Sequence, residues 1–255
     1  MSVVDRVPRA DVTLPVTALI VGVTGWWSVT AAGTVPPFVL PSPVAVVDRL
    51  LTRPELYLSN AIATLAKTLV GGVAGIVGGT VLAILVSWHR LLRRALHPYL
   101  VAARVLPKVA IAPLLLLYVG LGFQTAVLFV ALVAFFPMVV STLAGLQRVP
   151  EANRDLLRSV DAGRVRSFLA VEFPYALPDV FAGLKQSVTL AVVGATIAEW
   201  VVSTEGLGYL ILVGSENVQP DVMLAALTVL VAIGLGLYGL VVVVQRVVAR
   251  RIPLD

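Results

Sequence analysis

Long apolar stretches separated by short charged segments dominate the pattern of this chain. Residues 109–147 contain no Asp, Glu, Lys or Arg over 39 positions, and residues 12–47 contain none over 36. About 20 apolar residues cross a bilayer as a helix, so the first stretch is long enough for two crossings. Apolar runs and their Gly, Pro and charged breaks together predict six spans, at about 14–32, 61–87, 96–119, 124–146, 176–202 and 222–245.

The composition agrees with an all-α polytopic membrane protein whose single domain covers residues 1–255. Hydrophobic residues make up 59% of the chain and charged residues 13%, and the mean hydropathy is +0.98. A soluble domain carries about 25% charged residues, so this chain lacks the polar surface of a soluble enzyme. The absence of Cys excludes disulfides and thiolate chemistry, and two His are too few for most His-based metal sites.

Basic residues are divided unequally between the two sides of the predicted membrane segment. The segments before the first span, between spans two and three, between spans four and five, and after span six carry thirteen of the nineteen Lys and Arg residues. The alternate segments carry only Arg49 and Arg53. Positive residues gather in cytoplasmic loops, which predicts that both termini are cytoplasmic. The same rule accounts for the pI of about 9.9 without a nucleic-acid partner.

Glycines recur every four residues on the second predicted span, at Gly71, Gly75 and Gly79. Small residues at this spacing let two helices approach closely in lipid. A phosphate-binding glycine loop would instead end in Lys followed by Ser or Thr, and no such sequence occurs in the chain. These glycines therefore predict helix packing, and any ATP that is used must bind to another subunit.

Charge inside a membrane span is costly and usually functional or paired. The residues in question here are Lys67, Arg104, Lys108, Lys185 and Glu199. Arg104 and Lys108 are four residues apart on one helix face, so they cannot neutralise each other. Two interpretations follow. The two residues form a basic patch on a solute pathway, or each of them pairs with a neighbouring carbonyl or with Glu199. Pro107 and Pro113 would distort the third span, which favours that span as a pathway wall.

The predicted cytoplasmic loop 147–175 is much longer than a simple connection between two helices. Pro150 can begin a helix and Gly163 can end one, and Pro174 ends a second short element. The first of these helices carries an apolar face and charged residues around it: Leu156, Leu157, Val160, Arg154, Asp155, Arg158 and Asp161. A short amphipathic helix either lies on the membrane surface or docks in a groove of a partner, and the pattern does not decide between the two.

This loop resembles the EAA loop of binding-protein-dependent ABC importer permeases. The family pattern reads Glu-Ala-Ala, three residues, Gly, nine residues, Ile, two residues and Pro, and its spacing is matched throughout. The corresponding residues are Asp155 for Glu, Leu156 and Leu157 for the alanines, Asp161 for Gly, Val171 for Ile, and Pro174 for Pro. Only the proline is identical, and Asp at the Gly position is the largest departure.

Other segments resemble the branch of that family that imports sulfonates, taurine, nitrate and thiamine-type pyrimidine precursors. They are residues 40–43, 104–114, 118–120, 135–137, 198–199 and 206–210. Each segment is a weak signal alone, but the ordered set extends over residues 36–245.

The resemblance implies a type I ABC importer permease, with residues 151–167 as a coupling helix seated in a separate cytoplasmic ATPase. The residues implied in coupling are Arg154, Asp155, Leu156, Leu157, Arg158, Val160, Asp161, Gly163 and Pro174. The pathway candidates are Arg104, Pro107, Lys108, Pro113, Lys185 and Glu199. The resemblance further implies an inner-membrane protein in contact with lipid, an extracytoplasmic solute-binding protein, and a second permease subunit, either another copy in a homodimer or a related permease in a heterodimer. ATP and Mg would bind to the ATPase, and this chain would hold no cofactor, metal or catalytic residue.

Two other classes of membrane protein compete with this interpretation. A secondary transporter driven by an ion gradient would use Glu199, Lys185 or Lys108 as its coupling group and would need an internal repeat, which the two halves do not show convincingly. An intramembrane protease would need a Ser or acidic catalytic pair within the spans, whereas the candidate aspartates lie in or next to a loop. The in-span positive charges favour an anionic substrate, and a neutral vitamin precursor also remains open.

Overall fold

The computed structural model describes residues 9–159, 161 and 163–250, and every regular element in these residues is helical. Within the helices a few side chains lie outside the description, among them those of Arg104, Arg154, Leu156 and Arg158. The α-helices are α1 (Arg9–Ala31), α2 (Pro43–Thr52), α3 (Pro54–Trp88), α4 (Arg90–Val105), α5 (Ile111–Val119), α6 (Phe123–Gln147), α7 (Glu151–Ser159), α8 (Arg164–Ser167), α9 (Phe173–Val202), α10 (Leu207–Glu216) and α11 (Pro220–Ala249).

Five helical stretches in the described residues are long and apolar enough to cross a bilayer. They are Thr13–Ala31, Pro54–Trp88, Phe123–Gln147, Arg164–Val202 and Pro220–Ala249. Half of the most apolar window of α6 and of the stretch ending in α9 is buried, compared with 11% in α11 and none in α1. The core of the protein is therefore the contact of α6 and α9 with each other and with α3.

The third predicted span, 96–119, is interrupted in the structure. Helix α4 ends at Val105, Leu106 is extended, and a 3₁₀ turn (Lys108–Ala110) leads into α5. Pro107 disfavours helical geometry at the residue before it and has no N–H to donate, which explains the break. Pro113 lies in the first turn of α5, where a missing N–H is tolerated. The distortion expected of this segment is thus located at Pro107.

The glycines of α3 lie against the backbone of α6, as their spacing predicted. A Cβ at Gly71 would lie 2.6 Å from the carbonyl oxygen of Val127, and one at Gly79 would lie 2.7 Å from that of Phe135. A Cβ at Gly75 would overlap the carbonyl oxygen of Ala131. The four-residue period is therefore present on both helices, which confirms that these glycines serve helix packing.

The segments that connect the long helices at the α10 end of the bundle are themselves ordered helices. Ser42 caps α2, accepting a hydrogen bond from the Ala45 N–H at 3.1 Å, and Arg49 of α2 pairs with Asp221 of α11 at 2.9 Å. Helix α10 buries Leu207 and Leu210 against the bundle. The region 203–221 is accordingly a half-buried segment built around a helix.

Candidate functional site

The charged segment between α6 and α9 contains two short helices and one turn of π-helix. Helix α7 follows Pro150, whose carbonyl accepts a hydrogen bond from the Asn153 N–H at 3.1 Å. Helix α8, a π-helical turn (Phe168–Glu172) and α9 then form one continuous helical stretch up to Val202. Since Pro174 cannot donate to the carbonyl four residues before it, the wider π turn precedes it naturally.

Asp161 is the one described residue between the end of α7 at Ser159 and Gly163, which precedes α8. Its φ is +49°, in the left-handed region, whereas Gly163 has an extended backbone with φ −57° and ψ 151°. Asp161 is the residue that the resemblance aligns with the family's Gly. Asp is one of the few residues other than Gly that adopts this conformation at modest cost. The left-handed residue of this connection is therefore Asp161 and not Gly163.

The predicted coupling residues lie on or next to α7, with partly exposed side chains where these are described. Asp155, Asp161 and Gly163 are exposed, and Leu157 is half-buried. Val160 lies outside the described residues, as do the side chains of Arg154, Leu156 and Arg158. Pro174 is in the first turn of α9.

An aromatic cluster connects this segment to the bundle. Phe168, which is 8% exposed, meets the Trp88 ring edge-on at 5.5 Å between centroids and lies 5.6 Å from the Phe173 ring. Trp88 is the last residue of α3, and Phe173 is the first of α9. This cluster was not predicted from the sequence, although large aromatic residues in a charged segment were a signal of it. A displacement of the charged segment would reach α3 and α9 through these rings.

A buried ion pair joins α3 to α9. Lys67 is 1% exposed and Glu199 is 0% exposed, and the Lys67 Nζ donates to Glu199 Oε1 at 3.1 Å. The same ammonium donates to the Ser203 hydroxyl at 2.9 Å and to the Glu205 carbonyl at 2.8 Å. All three of its donors are therefore used, and the Lys67 charge is satisfied within the protein.

The other acceptor sites of Glu199 hold the start of α10. The Thr64 hydroxyl donates to the Glu199 carboxylate at 2.9 Å, and the Gly208 N–H donates to Oε2 at 2.8 Å. Gly206 has φ +116°, and a Cβ there would overlap the carboxylate. The carboxylate thus receives one N–H group from the first turn of α10, that of Gly208, which suits the positive end of a helix dipole. The Leu207 N–H donates to the Thr64 hydroxyl at 2.8 Å, so Glu199 and Thr64 together join α3, α9 and α10.

Lys108 lies beside a separate cleft. Its Nζ is 5.7 Å from the centre of the Phe136 ring, and the cleft, of about 350 Å³, is lined by Lys108, Phe136, Pro137, Val140, Gln186 and Leu190. No ion pair among the described residues involves Lys108. The residues forming this cleft come from the segment before α5 and from α6 and α9, the two most buried helices.

The remaining pathway candidates are not part of this cleft lining as the structure describes it. Lys185 is half-buried on α9, Pro107 and Pro113 are exposed, and Glu199 belongs to the ion pair near the far end of α9. The side chain of Arg104 lies outside the described residues. Among the residues the structure does describe, no group of three or more His, Asp or Glu side chains is placed to hold a metal ion.

The sequence matches the family of binding-protein-dependent transport system inner membrane components over residues 75–253. A probable ABC transporter permease protein of Haemophilus influenzae is 38% identical over 222 residues, which are 86% of this chain and 91% of that protein. The formylaminopyrimidine transport permease protein ThiX of Halalkalibacterium halodurans is 35% identical, over 72% of this chain and 74% of that protein.

The fold is similar to that of a solved ABC transporter. A chain of the MetNI methionine ABC transporter, in an inward-facing conformation, superimposes with a TM-score of 0.68 at 21% sequence identity. The match covers 77% of this chain and 98% of that chain. It confirms the importer permease fold that the resemblance implied.

Proposed function

This chain belongs to the family of binding-protein-dependent transport system inner membrane components, the permease subunits of ABC importers, and we propose how it works in such an assembly. As a permease subunit it provides a route for a solute and carries out no bond chemistry. ATP and Mg bind to separate cytoplasmic ATPase subunits, and an extracytoplasmic binding protein delivers a small solute. Two copies of the chain form a homodimer around the pathway, with all four termini in the cytoplasm, the side that carries most of the basic residues.

The observation that carries this mechanism is the helical stretch from Arg164 to Val202, which joins the charged segment directly to the core helix α9. Helix α7 docks in the ATPase, with Leu156, Leu157 and Val160 as the apolar anchor. Arg154, Asp155 and Arg158 fix its orientation, and Asp161 with Gly163 makes the turn back into α8. When ATP closes the ATPase dimer, the movement passes through Phe168 and Pro174 into α9 and, through Trp88, into α3.

The ion pair supports this assignment over an ion-gradient-driven carrier. Such a carrier needs a titratable group that can exchange an ion or proton during each cycle. Glu199 instead receives hydrogen bonds from Lys67, Thr64 and the Gly208 N–H, with no exposed surface. This arrangement supports a permanent structural role for Glu199.

The docking of α7 is tested by replacing Leu156 and Leu157 together with Asp. Two carboxylates on the apolar anchor would have to be desolvated in the ATPase groove, so we expect loss of ATPase co-purification and of transport. Leu156→Met together with Leu157→Met is the matched control, because it changes the same two positions but keeps the anchor apolar. Unchanged elution in size-exclusion chromatography would show that both variants fold. Full transport by the double variant would refute the docking.

A further inference from the structure

Lys67 and Lys108, two of the lysines inside the predicted spans, differ in how their charge is met. Lys67 has three oxygen acceptors within 3.1 Å and is 1% exposed. Lys108 is half-buried, makes no ion pair in the described part of the chain, and has the face of Phe136 5.7 Å away. A ring face stabilises a cation by about 0.5–2 kcal/mol, far less than a carboxylate and two further acceptors. Lys108 therefore retains capacity to bind an anion.

The position of Lys108 near the middle of the membrane supports a functional role for its capacity to bind an anion. Asp179, paired with Arg148 near one end of the bundle, and Glu199, paired near the other, are both on α9. These acids are 20 residues apart (199 − 179), or about 30 Å along a helix, which equals about the thickness of the hydrocarbon core. Gln186 and Leu190, which share the cleft with Lys108, lie near the midpoint. An ammonium at this depth is costly unless it faces a water-filled cavity and serves a function.

The other residues that line the cleft indicate the chemistry of the rest of the ligand. Phe136, Pro137, Val140 and Leu190 are apolar, and Gln186 offers an exposed amide that can donate and accept hydrogen bonds. A cleft of about 350 Å³ is within the range of pockets for small organic molecules. One charged group, one amide and an apolar wall suit a small molecule with one anionic end and a flat or apolar body.

We propose that the cleft is a binding site within the pathway, at which Lys108 selects small organic anions, Phe136 and Leu190 contact the apolar body of the solute, and Gln186 orients it. This rests on the proposed function, because it places the site on the route of a transported solute. Lys108 determines specificity and acts by charge, so Arg can replace it and Gln cannot.

The absence of Cys from the chain allows a test that needs no knowledge of the natural solute. Val140→Cys places one thiol in the cleft, and Leu190→Cys serves if that variant does not assemble. The full-length chain in membrane vesicles is labelled with an anionic reagent, methanethiosulfonate ethylsulfonate, and with a cationic one, methanethiosulfonate ethyltrimethylammonium. A change in the intrinsic reactivity of the thiol affects both labelling rates equally. The ratio of the two rates therefore reports the local electrostatic potential.

We expect Lys108→Gln to lower the anionic-to-cationic rate ratio about five- to tenfold at low ionic strength, the effect of one charge about 7 Å away in water. Lys108→Arg should restore the ratio. Lys185→Gln is the matched control, because it removes a half-buried positive charge from α9 that does not line the cleft. An unchanged ratio in Lys108→Gln, an equal effect of Lys185→Gln, or no labelling by either reagent would each overturn the proposal.

The ligand class is tested in the same vesicles by protection with benzoate and benzamide, which differ mainly in charge. Benzoate should slow labelling at lower concentrations than benzamide, and Lys108→Gln should abolish that preference. Equal protection by the two compounds, or none by either, would refute an anion site. These outcomes are separate from the proposed function, which fails if no ATPase accompanies the chain, whatever the labelling shows.

Discussion

Removal of the Lys67 ammonium is the most demanding test of the packing that positions α10. Lys67→Met replaces the apolar stem of the side chain but removes the ammonium, which leaves the Glu199 carboxylate, at 0% exposure, without its counter-charge. Breaking a buried ion pair by removing one partner costs about 3–5 kcal/mol, because the remaining charge stays desolvated. The Ser203 hydroxyl and Glu205 carbonyl also lose their shared donor, which places the expected loss at the upper end of this range.

A second substitution separates the electrostatic cost from the loss of packing. Glu199→Gln in the Lys67→Met background neutralises the unpaired charge and keeps an oxygen that can accept from the Gly208 N–H, which lies 2.8 Å from Glu199 Oε2. The double variant should therefore be more stable than Lys67→Met alone, by about 1–3 kcal/mol. The assay is the free energy of unfolding in mixed detergent micelles, followed by tryptophan fluorescence.

Two results would refute this reasoning. One is a loss below about 1 kcal/mol for Lys67→Met, the range of an exposed ion pair. The other is a double variant less stable than Lys67→Met, which would mean that the unpaired carboxylate is not the main source of the cost. Either outcome would remove the ion pair as the group that fixes α10 on α3 and α9.

Three further predictions concern the helix contacts and the charged segment. Gly75→Ala should destabilise the protein by about 1–3 kcal/mol in the same unfolding assay, because its Cβ overlaps the α6 backbone, whereas Gly78→Ala, 3.7 Å from its nearest neighbour, should be tolerated; equal effects would contradict the close contact. Asp161→Gly should raise stability by up to about 1 kcal/mol by relieving its left-handed backbone, and a loss of stability would show that the Asp side chain matters more. Phe168→Ala should lower the transport obtained per ATP hydrolysed while ATPase binding persists, and an unchanged ratio would exclude the aromatic contact with Trp88 as a route of coupling.

The features that repeat along the chain could be predicted from sequence. The four-residue period of Gly71, Gly75 and Gly79 determines one helix face, and that face meets α6 in the structure. Hydropathy located the long helices for the same reason, since each span is a property of adjacent residues. Hydropathy alone extends the third span across Pro107, and the proline itself indicated the distortion, which the structure shows as a break between two helices.

The contacts between distant residues could not be predicted in this way. Lys67 and Glu199 were recognised as costly charges within spans, but their pairing joins residues 132 positions apart. The contact of Trp88 with Phe168 is of the same kind. Asp161 marks an intermediate case, because the loop spacing aligned it with the family's Gly, while only its φ shows that the backbone there is left-handed. Single sequences specify periodicity and local geometry, but not which distant polar groups meet when helices pack.

Whether the chain works with a separate ATPase is tested most directly by quantitative mass spectrometry of what co-purifies with the tagged chain from its native membrane in mild detergent. We expect an ATPase with Walker motifs in about equal amount to the permease, and its loss from the double Leu156→Asp, Leu157→Asp variant but not from Leu156→Met, Leu157→Met. A homo-oligomer that repeatedly appears without any ATPase across several mild detergents would contradict the importer mechanism and favour a gradient-driven carrier.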